Sequence, residues 1–422
     1  MKHGLKLVTV LMLANACGQP AENSLVHEAW NQRNDPAIMG IDALSRKYQY
    51  ETKFDLLPLT AQLPQTPWSD YYWPTYKGGL TYRWSQPGSD LDRYAYPIKP
   101  FSDLTPAEIA VLSPAEKYDL YMGFEDYRTT RAERERTGAL KRVPGQPDYD
   151  ARLSPIPGWE GLCHAWAPAT LAFAEPEAVT VKGRTGVDIP FASSDINGLL
   201  TIFLHHVPAP RVSFLGGRCE EDLSSLQDRI EDVRNPYEGS PYYTWTAEAR
   251  DAEIKRLTDE LTFRGESSDC RDTNAGAFHI VLTNQIARLK QGFVADVTRD
   301  DEVWNQAVHA YSVQIEEVKE GRSPDAAPRT VKEVTVTTTM HYIVEVPYHY
   351  NRGGYDRESA ETSVDYHYRV ELDRNGTVIG GKWLSYDRPD FLWKQEIPQF
   401  AGFFAGVEEI YKAATTSAAV QN

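Results

Sequence analysis

The 422-residue sequence has only four cysteines and five methionines. It lacks a Gly-rich phosphate loop and any paired-cysteine zinc pattern, so nucleotide-loop and zinc-ribbon chemistry have no sequence support. Basic residues are outnumbered, 44 Lys and Arg against 60 Asp and Glu, for a formal net charge of −16. Tight sequence-independent nucleic-acid binding needs clustered cations that displace counterions, and that class is set aside. With 25% charged residues the sequence also lacks the pattern of a multi-span membrane protein, and no span is expected in the mature chain. The acidic stretch Asp300-Asp301-Glu302 has neither alternating oxygen ligands nor a central glycine, so it reads as a solvated loop rather than a calcium loop.

What is present is a globular composition: 41% hydrophobic residues, with 24 Tyr and 10 Trp, enough for one large or two ordinary domains. Residues 1–17 read as a targeting segment. Lys2 and Lys6 supply the positive region, Leu7 to Leu13 the apolar stretch, and Ala14-Asn15-Ala16 a small-residue cleavage site. Export, to the periplasm, the surface or the medium, is the expected localisation, and Cys17 directly after the site leaves a lipid anchor open. Once Cys17 is removed or acylated, Cys163, Cys219 and Cys270 remain, an odd number. Three pairings are open. The loops around Cys219 and Cys270 favour a disulfide between those two, which leaves Cys163 as a free thiol.

Residues 18–100 are read as an N-terminal region, polar and without period to about residue 64 and partly a candidate pro-segment. It then carries the aromatic block Trp68 to Pro74, taken as a packed lid or turn. Residues 101–422 are read as the catalytic domain. Thr105-Pro106-Ala107-Glu108 and Ser113-Pro114-Ala115-Glu116 are two capping boxes with proline at the first helical position, and the charged Arg128 to Tyr149 stretch suits an exposed helix end or linker. Ile254, Leu257 and Leu261 recur at helical spacing between Ala247 and Gly265. Val331 to Val346 and Val364 to Leu372 alternate as strands, and Asn375-Gly376 reads as a type I′ hairpin turn. Helices before strands, without β-α-β alternation, predict an α+β fold. Its N-terminal half is helical with the nucleophile at a helix start, its C-terminal half an antiparallel sheet, and a papain-like catalytic constellation fits that arrangement.

In Gly158-Trp159-Glu160-Gly161-Leu162-Cys163-His164-Ala165-Trp166-Ala167-Pro168-Ala169 the cysteine precedes a small-residue run, with Pro168 as a plausible first helical position. A thiol at the positive end of a helix is favoured as thiolate; a buried inert cysteine is the alternative. A thiol nucleophile needs a base and an orienting group. His279, in Phe278-His279-Ile280-Val281-Leu282, reads as the start of an apolar strand, and Asp296, in Phe293 to Val297, lies on a second one. Neighbouring strands would align the two as base and orienter, against the alternative of a structural buried histidine. His164 adjoins Cys163, but adjacent side chains diverge, and His205-His206 reads as a strand end rather than a metal pair.

The sequence resembles the transglutaminase elicitor family of oomycetes and marine bacteria. The resemblance runs from Trp68 to Trp393 and rests on Leu112 to Asp119, Gly161 to Ala169, Cys270-Arg271-Asp272-Thr273-Asn274, and Phe293 to Val308. Val303-Trp304-Asn305-Gln306-Ala307-Val308 looks like the exposed peptide by which plants detect the oomycete enzymes. Ala307 stands where that peptide has proline, and His309-Ala310-Tyr311-Ser312 differs after it, so the elicitor property is not carried over with the fold.

The resemblance implies isopeptide bonds between glutamine side chains and lysine or small primary amines. Cys163 is then the nucleophile, with His279 and Asp296 as its partners and the indoles of Trp159 or Trp166 as oxyanion candidates beside the Cys163 N–H. No organic cofactor is needed; calcium enters by analogy alone. The same residues would serve a thiol hydrolase, either a glutamine deamidase or a cysteine peptidase. In a third reading the aromatic blocks and strands form a cell-surface binding protein with Cys163 inert.

Overall fold

A computed structural model describes residues 33–41, 47, 49–218, 224–265, 273–297, 302–385 and 387–419. The leader, Cys17, Cys219, Cys270, Asp300 and Asp301 lie outside the described residues, and with them the expected leader, anchor and disulfide. Among the described residues no helix is long and apolar enough to cross a membrane.

The strands are β1 (Thr60–Gln62), β2 (Val179–Lys182), β3 (Asp188–Phe191), β4 (Val212–Gly216), β5 (Phe293–Asp296), β6 (Asn305–Glu320), β7 (Lys332–Ile343), β8 (Glu361–Leu372), β9 (Val378–Trp383) and β10 (Phe391–Gln395). Eight of them form one antiparallel sheet in the order β4-β10-β5-β6-β7-β8-β9, with β1 also on β6. β2 and β3 make a separate hairpin. The class is α+β: most helices precede the long strands, and Ala405–Ala419 returns to the helical layer.

Successive strand side chains point to opposite faces, and the short β5 shows how this sheet divides two cores. Val294 packs with Leu162, Ala165 and Trp166 and with the helix Ser193–His206. Phe293 and Ala295 pack on the other side with Phe278 and Ile280 of the helix Ala275–Thr283. That second core also takes Met39, Tyr50, Phe54 and Leu57. The segment before residue 64, polar and without period in the sequence, therefore supplies part of the interior.

Both capping boxes form, at Thr105/Glu108 and Ser113/Glu116. The second opens the helix Pro114–Met122, and the polar residues of Ser113 to Asp119 anchor it in three directions. Glu116 takes both Nε and Nη2 of Arg83, Lys117 Nζ lies 2.6 Å from the buried Asp195 carboxylate, and Asp119 accepts the N–H groups of Thr129 and Thr130. Removing one partner from such a buried pair leaves an uncompensated charge, which explains their use as fixed joints rather than surface decoration. The next helix, Arg128–Thr137, is less exposed than its charge suggests: Glu133 is buried, bonded to Arg136 and to the Leu80 N–H.

The amphipathic helix Ala247–Gly265 is present and buries Leu257 and Leu261 against the helix Ser224–Arg234. The Asp373–Gly376 turn differs from the expected type I′. Gly376 alone has positive φ (75°), while Asp373 Oδ1 accepts the Asn375 and Thr377 N–H groups. The pairing of β8 with β9 is irregular at Glu371/Leu372, so a carboxylate-braced turn with an adjacent irregularity replaces the tight two-residue turn.

The helix Ala275–Thr283 sits directly on β9. A Cβ at Gly276 would lie 2.2 Å from the Gly380 carbonyl oxygen, a backbone atom that cannot swing aside. Gly276→Ala is expected to lower stability by about 1–3 kcal/mol, as overpacking does, read as a lower midpoint in chemical denaturation.

Candidate functional site

Cys163 is the first residue of the helix Cys163–Ala172, five positions earlier than a Pro168 start would place it, and Pro168 lies inside the helix. The cysteine itself occupies the positive end of the helix, and Leu162 before it makes no side-chain cap bond. Of the first-turn N–H groups, that of Ala165 already donates to the Leu162 carbonyl at 2.9 Å, which leaves those of Cys163 and His164 ahead of the helical ladder. Gly161 allows the turn, since a Cβ there would lie 2.5 Å from the Tyr72 ring. Tyr72 is part of the aromatic block, which docks on this loop through Leu162 N–H to Tyr72 O and Thr75 N–H to Glu160 O, both 2.8 Å. The block is a packed cover, as expected from its composition, and Cys163 is 5% exposed.

The sulfur faces the start of β6. Cys163 Sγ donates to the Val303 carbonyl at 3.5 Å, and Asn305 Nδ2 donates to Sγ at 3.6 Å. Asn305 Oδ1 accepts the Trp393 indole N–H from β10 at 2.8 Å, which fixes the carboxamide with its NH2 toward sulfur. Asp296, ending β5, pairs with Asn305 in register and accepts the Trp304 backbone N–H at 3.1 Å. Burial pushes the Cys163 thiol up to about 11; the Asn305 hydrogen bonds work against that, and Glu345 and Asp296 add to it. Burial also raises the Glu345 carboxyl, opposed by the bond it accepts from Gln306 Nε2.

Of the expected partners, Asp296 lies beside Asn305, the residue that bonds the sulfur, and His279 lies elsewhere. Asp296 is two residues from Val294 and shares its face, the side of the Cys163 helix. His279 lies in a helix, not a strand, and that helix packs on the opposite face of the sheet. Its Nδ1 is 2.9 Å from the Tyr368 hydroxyl, its ring stacks on Phe54, and burial alone lowers its pKa to about 4. It is a neutral core imidazole. Five other histidines are also engaged away from sulfur: His164 with His205 at 2.9 Å, His309 with Glu361, His349 with Glu175 and His367 with Glu316. His205 and His206 end a helix rather than a strand.

Trp166 is fully buried in the core beneath the helix, and its indole N–H finds no acceptor among the described residues; Trp159 is half-buried on the preceding loop. Glu302 accepts the Trp304 indole N–H, and no cluster of three or more metal-ligating side chains occurs among the described residues. The expected recognition peptide is not exposed. Asn305 to Val308 are buried, and Val303 and Asn305 touch the sulfur.

Asn305, Trp393, Glu345 and Tyr72 were missed as site residues. Asn305 carried a usable signal, a carboxamide opening a long alternating apolar run. Trp393, 88 residues further on, carried none.

A sequence model of the transglutaminase elicitor family matches residues 45–234 and 231–401. The chain belongs to the transglutaminase elicitor family. The crystal structure of the GP42 transglutaminase from Phytophthora sojae is similar to it over 87% of this chain and 95% of that one, with a TM-score of 0.59 and 22% identity, a likeness of fold. No curated protein sequence matches.

Asn305→Ala removes a donor that favours the thiolate. Alkylation of Cys163 by iodoacetamide is expected to slow roughly 2- to 10-fold at pH 8, the equivalent of about 0.5–1.5 kcal/mol for one hydrogen bond, with the pH–rate curve moved upward.

Proposed function

We propose that this family member is a protein-glutamine γ-glutamyltransferase whose nucleophile is Cys163. The observation that carries the reading is the fixed thiol at an uncapped helix start, held between Val303 O and the Trp393-locked carboxamide of Asn305. Its burial favours a narrow side chain. A glutamine carboxamide on two methylenes can be brought to a recessed sulfur more readily than a main-chain peptide bond, which argues for transfer or deamidation over peptide cleavage.

Cys163 Sγ attacks the glutamine carbonyl, forming the C–S bond, and its proton passes to a carboxylate. Asp296 is the acceptor we assign, because it shares the sulfur's face and its field acts on the thiol. Glu345 is a second carboxylate acting on the same thiol. The oxyanion takes the Cys163 N–H at the helix start. Collapse breaks the C–N bond, and ammonia leaves with the proton returned from Asp296. An amine then attacks the thioester, gives its proton to the same carboxylate, and releases the isopeptide product as sulfur is reprotonated. Calcium has no step in this scheme.

Export would set this chemistry on surface or extracellular proteins, with Cys219 and Cys270 paired and Cys163 as the one thiol. Incorporation of a fluorescent primary amine into a glutamine-rich protein is expected with wild type and absent with Cys163→Ala, ammonia appearing in step with label. Ammonia without label would make it a deamidase, and neither product would return it to the binding-protein reading.

A further inference from the structure

Two carboxylates and one imidazole share a buried joint that the proposed reaction does not use. Asp70 is fully buried and accepts Ser194 Oγ at 3.0 Å, Asn197 Nδ2 at 2.8 Å and the Tyr71 N–H at 2.7 Å. Ser194 Oγ also accepts the His349 N–H at 2.8 Å, and His349 Nδ1 lies 3.5 Å from both that hydroxyl and the Pro347 carbonyl oxygen. On the other side of the ring, Nε2 lies 3.3 Å from Oε1 of the buried Glu175 and has no other hydrogen-bond partner among the described residues. That contact is an ion pair only while the imidazole is protonated. Glu175 in turn accepts the Gly353 N–H at 2.8 Å.

The joint ties down both segments that close on the Cys163 site. Tyr72 stands two residues after Asp70, and Glu345 four residues before His349. The two segments are bonded to each other, Val346 N–H to Asp70 O at 3.2 Å, Ser69 N–H to the Tyr355 hydroxyl at 2.9 Å and Ser69 Oγ to Val344 O. Tyr348, next to His349, sits among Tyr71, Trp73 and Trp84 with ring centroids 4.7, 4.8 and 5.8 Å away. Trp73 has φ of 54°, a left-handed conformation that a tryptophan holds only when its surroundings impose it. The cover therefore depends on its anchors.

The remaining charged groups near the joint have other duties. Asp195, on the Ser194 helix, is paired with Lys117, Arg352 faces Glu177 at 3.9 Å, and Arg357 lines with Glu175 a cavity of about 370 Å³. Tyr355, its ring 4.9 Å from that of His349, stays neutral because burial pushes its hydroxyl up to about 12, and burial raises Tyr348 as well. Burial works to lower the His349 pKa, yet Glu175 and Asp70 together lift it above the ordinary imidazole value. Burial pushes Asp70 up to about 6, against His349 and its hydrogen bonds. Both groups hold protons more tightly in the closed joint than in water, so the stability they give is full at low pH and is lost as pH rises through their raised values. Above those values a neutral imidazole faces two buried carboxylates that repel each other.

We propose that Asp70, Glu175 and His349 form a proton-held latch. With His349 protonated it clamps Tyr72 and Glu345 over the nucleophile, and loss of that proton releases the cover and opens Cys163 to large substrates.

The test compares two thiol reagents on the full-length protein, small iodoacetamide and a bulky polyethylene glycol maleimide, with reaction at Cys163 read by peptide mapping. The thiolate fraction enters both rates and cancels in their ratio, which leaves access. In wild type the bulky-to-small ratio is expected to rise at least about threefold as pH goes from about 6 to about 9, in one step centred above the ordinary imidazole value. His349→Gln, uncharged at every pH, is expected to hold the ratio high and flat. Glu175→Gln removes the anion that raises His349 and is expected to move the step to lower pH, which decides the matter should His349→Gln fail to fold. A wild-type ratio that is flat with pH, or a step that His349→Gln or Glu175→Gln leaves where it was, would overturn the proposal.

Discussion

The Asn305 carboxamide joins three separate parts of the chain, taking an N–H from Trp393 on β10 and giving one to the sulfur at a helix start. A carboxamide can do both at once because its oxygen and nitrogen are fixed in one plane. Locking the oxygen orients the nitrogen. The antiparallel pairing of β5 with β6 and with β10 sets Asn305, Asp296 and Trp393 in one neighbourhood, and the helix must begin at Cys163, not later, for the sulfur to meet them. Each of these parts would have a different function or none without the others.

The electrostatics of the site run against a thiolate at rest. Burial and two carboxylates push the thiol up to about 11, and the Asn305 bonds oppose them. A protonated sulfur under an aromatic cover is protected from oxidation and adventitious acylation, since the thiolate is the reactive form. In the proposed reaction activation falls to the arriving substrate, whose developing oxyanion would meet the helix start at Cys163.

Much of this was legible in the sequence, and the failures have physical causes. Cys163 stood out because glycine, cysteine and a small-residue run mark a helix start near a close contact, here with Tyr72. The capping boxes were readable because a hydroxyl, proline and glutamate at fixed spacing satisfy orphan N–H groups locally. The Ala275–Thr283 helix was misread as a strand because all nine residues are buried, so no polar face reports the helical period. Asn274 was the overlooked sign, its side chain accepting the N–H groups of Gly276 and Ala277. The site partners were hidden for another reason. Asn305 lies 142 residues from Cys163, and only the sheet topology brings them together.

In the proposed reaction the proton partner of Cys163 is a carboxylate on its own face of the sheet, and His279 is a core residue behind it. Single-turnover thioester formation, measured by ammonia burst with Asp296→Asn and His279→Gln side by side, tests this most directly. A loss of roughly 10²- to 10⁴-fold is expected for Asp296→Asn, the range of a general base, and a burst rate near wild type for folded His279→Gln. The reverse order, His279→Gln inactive while Asp296→Asn retains its burst, would contradict it.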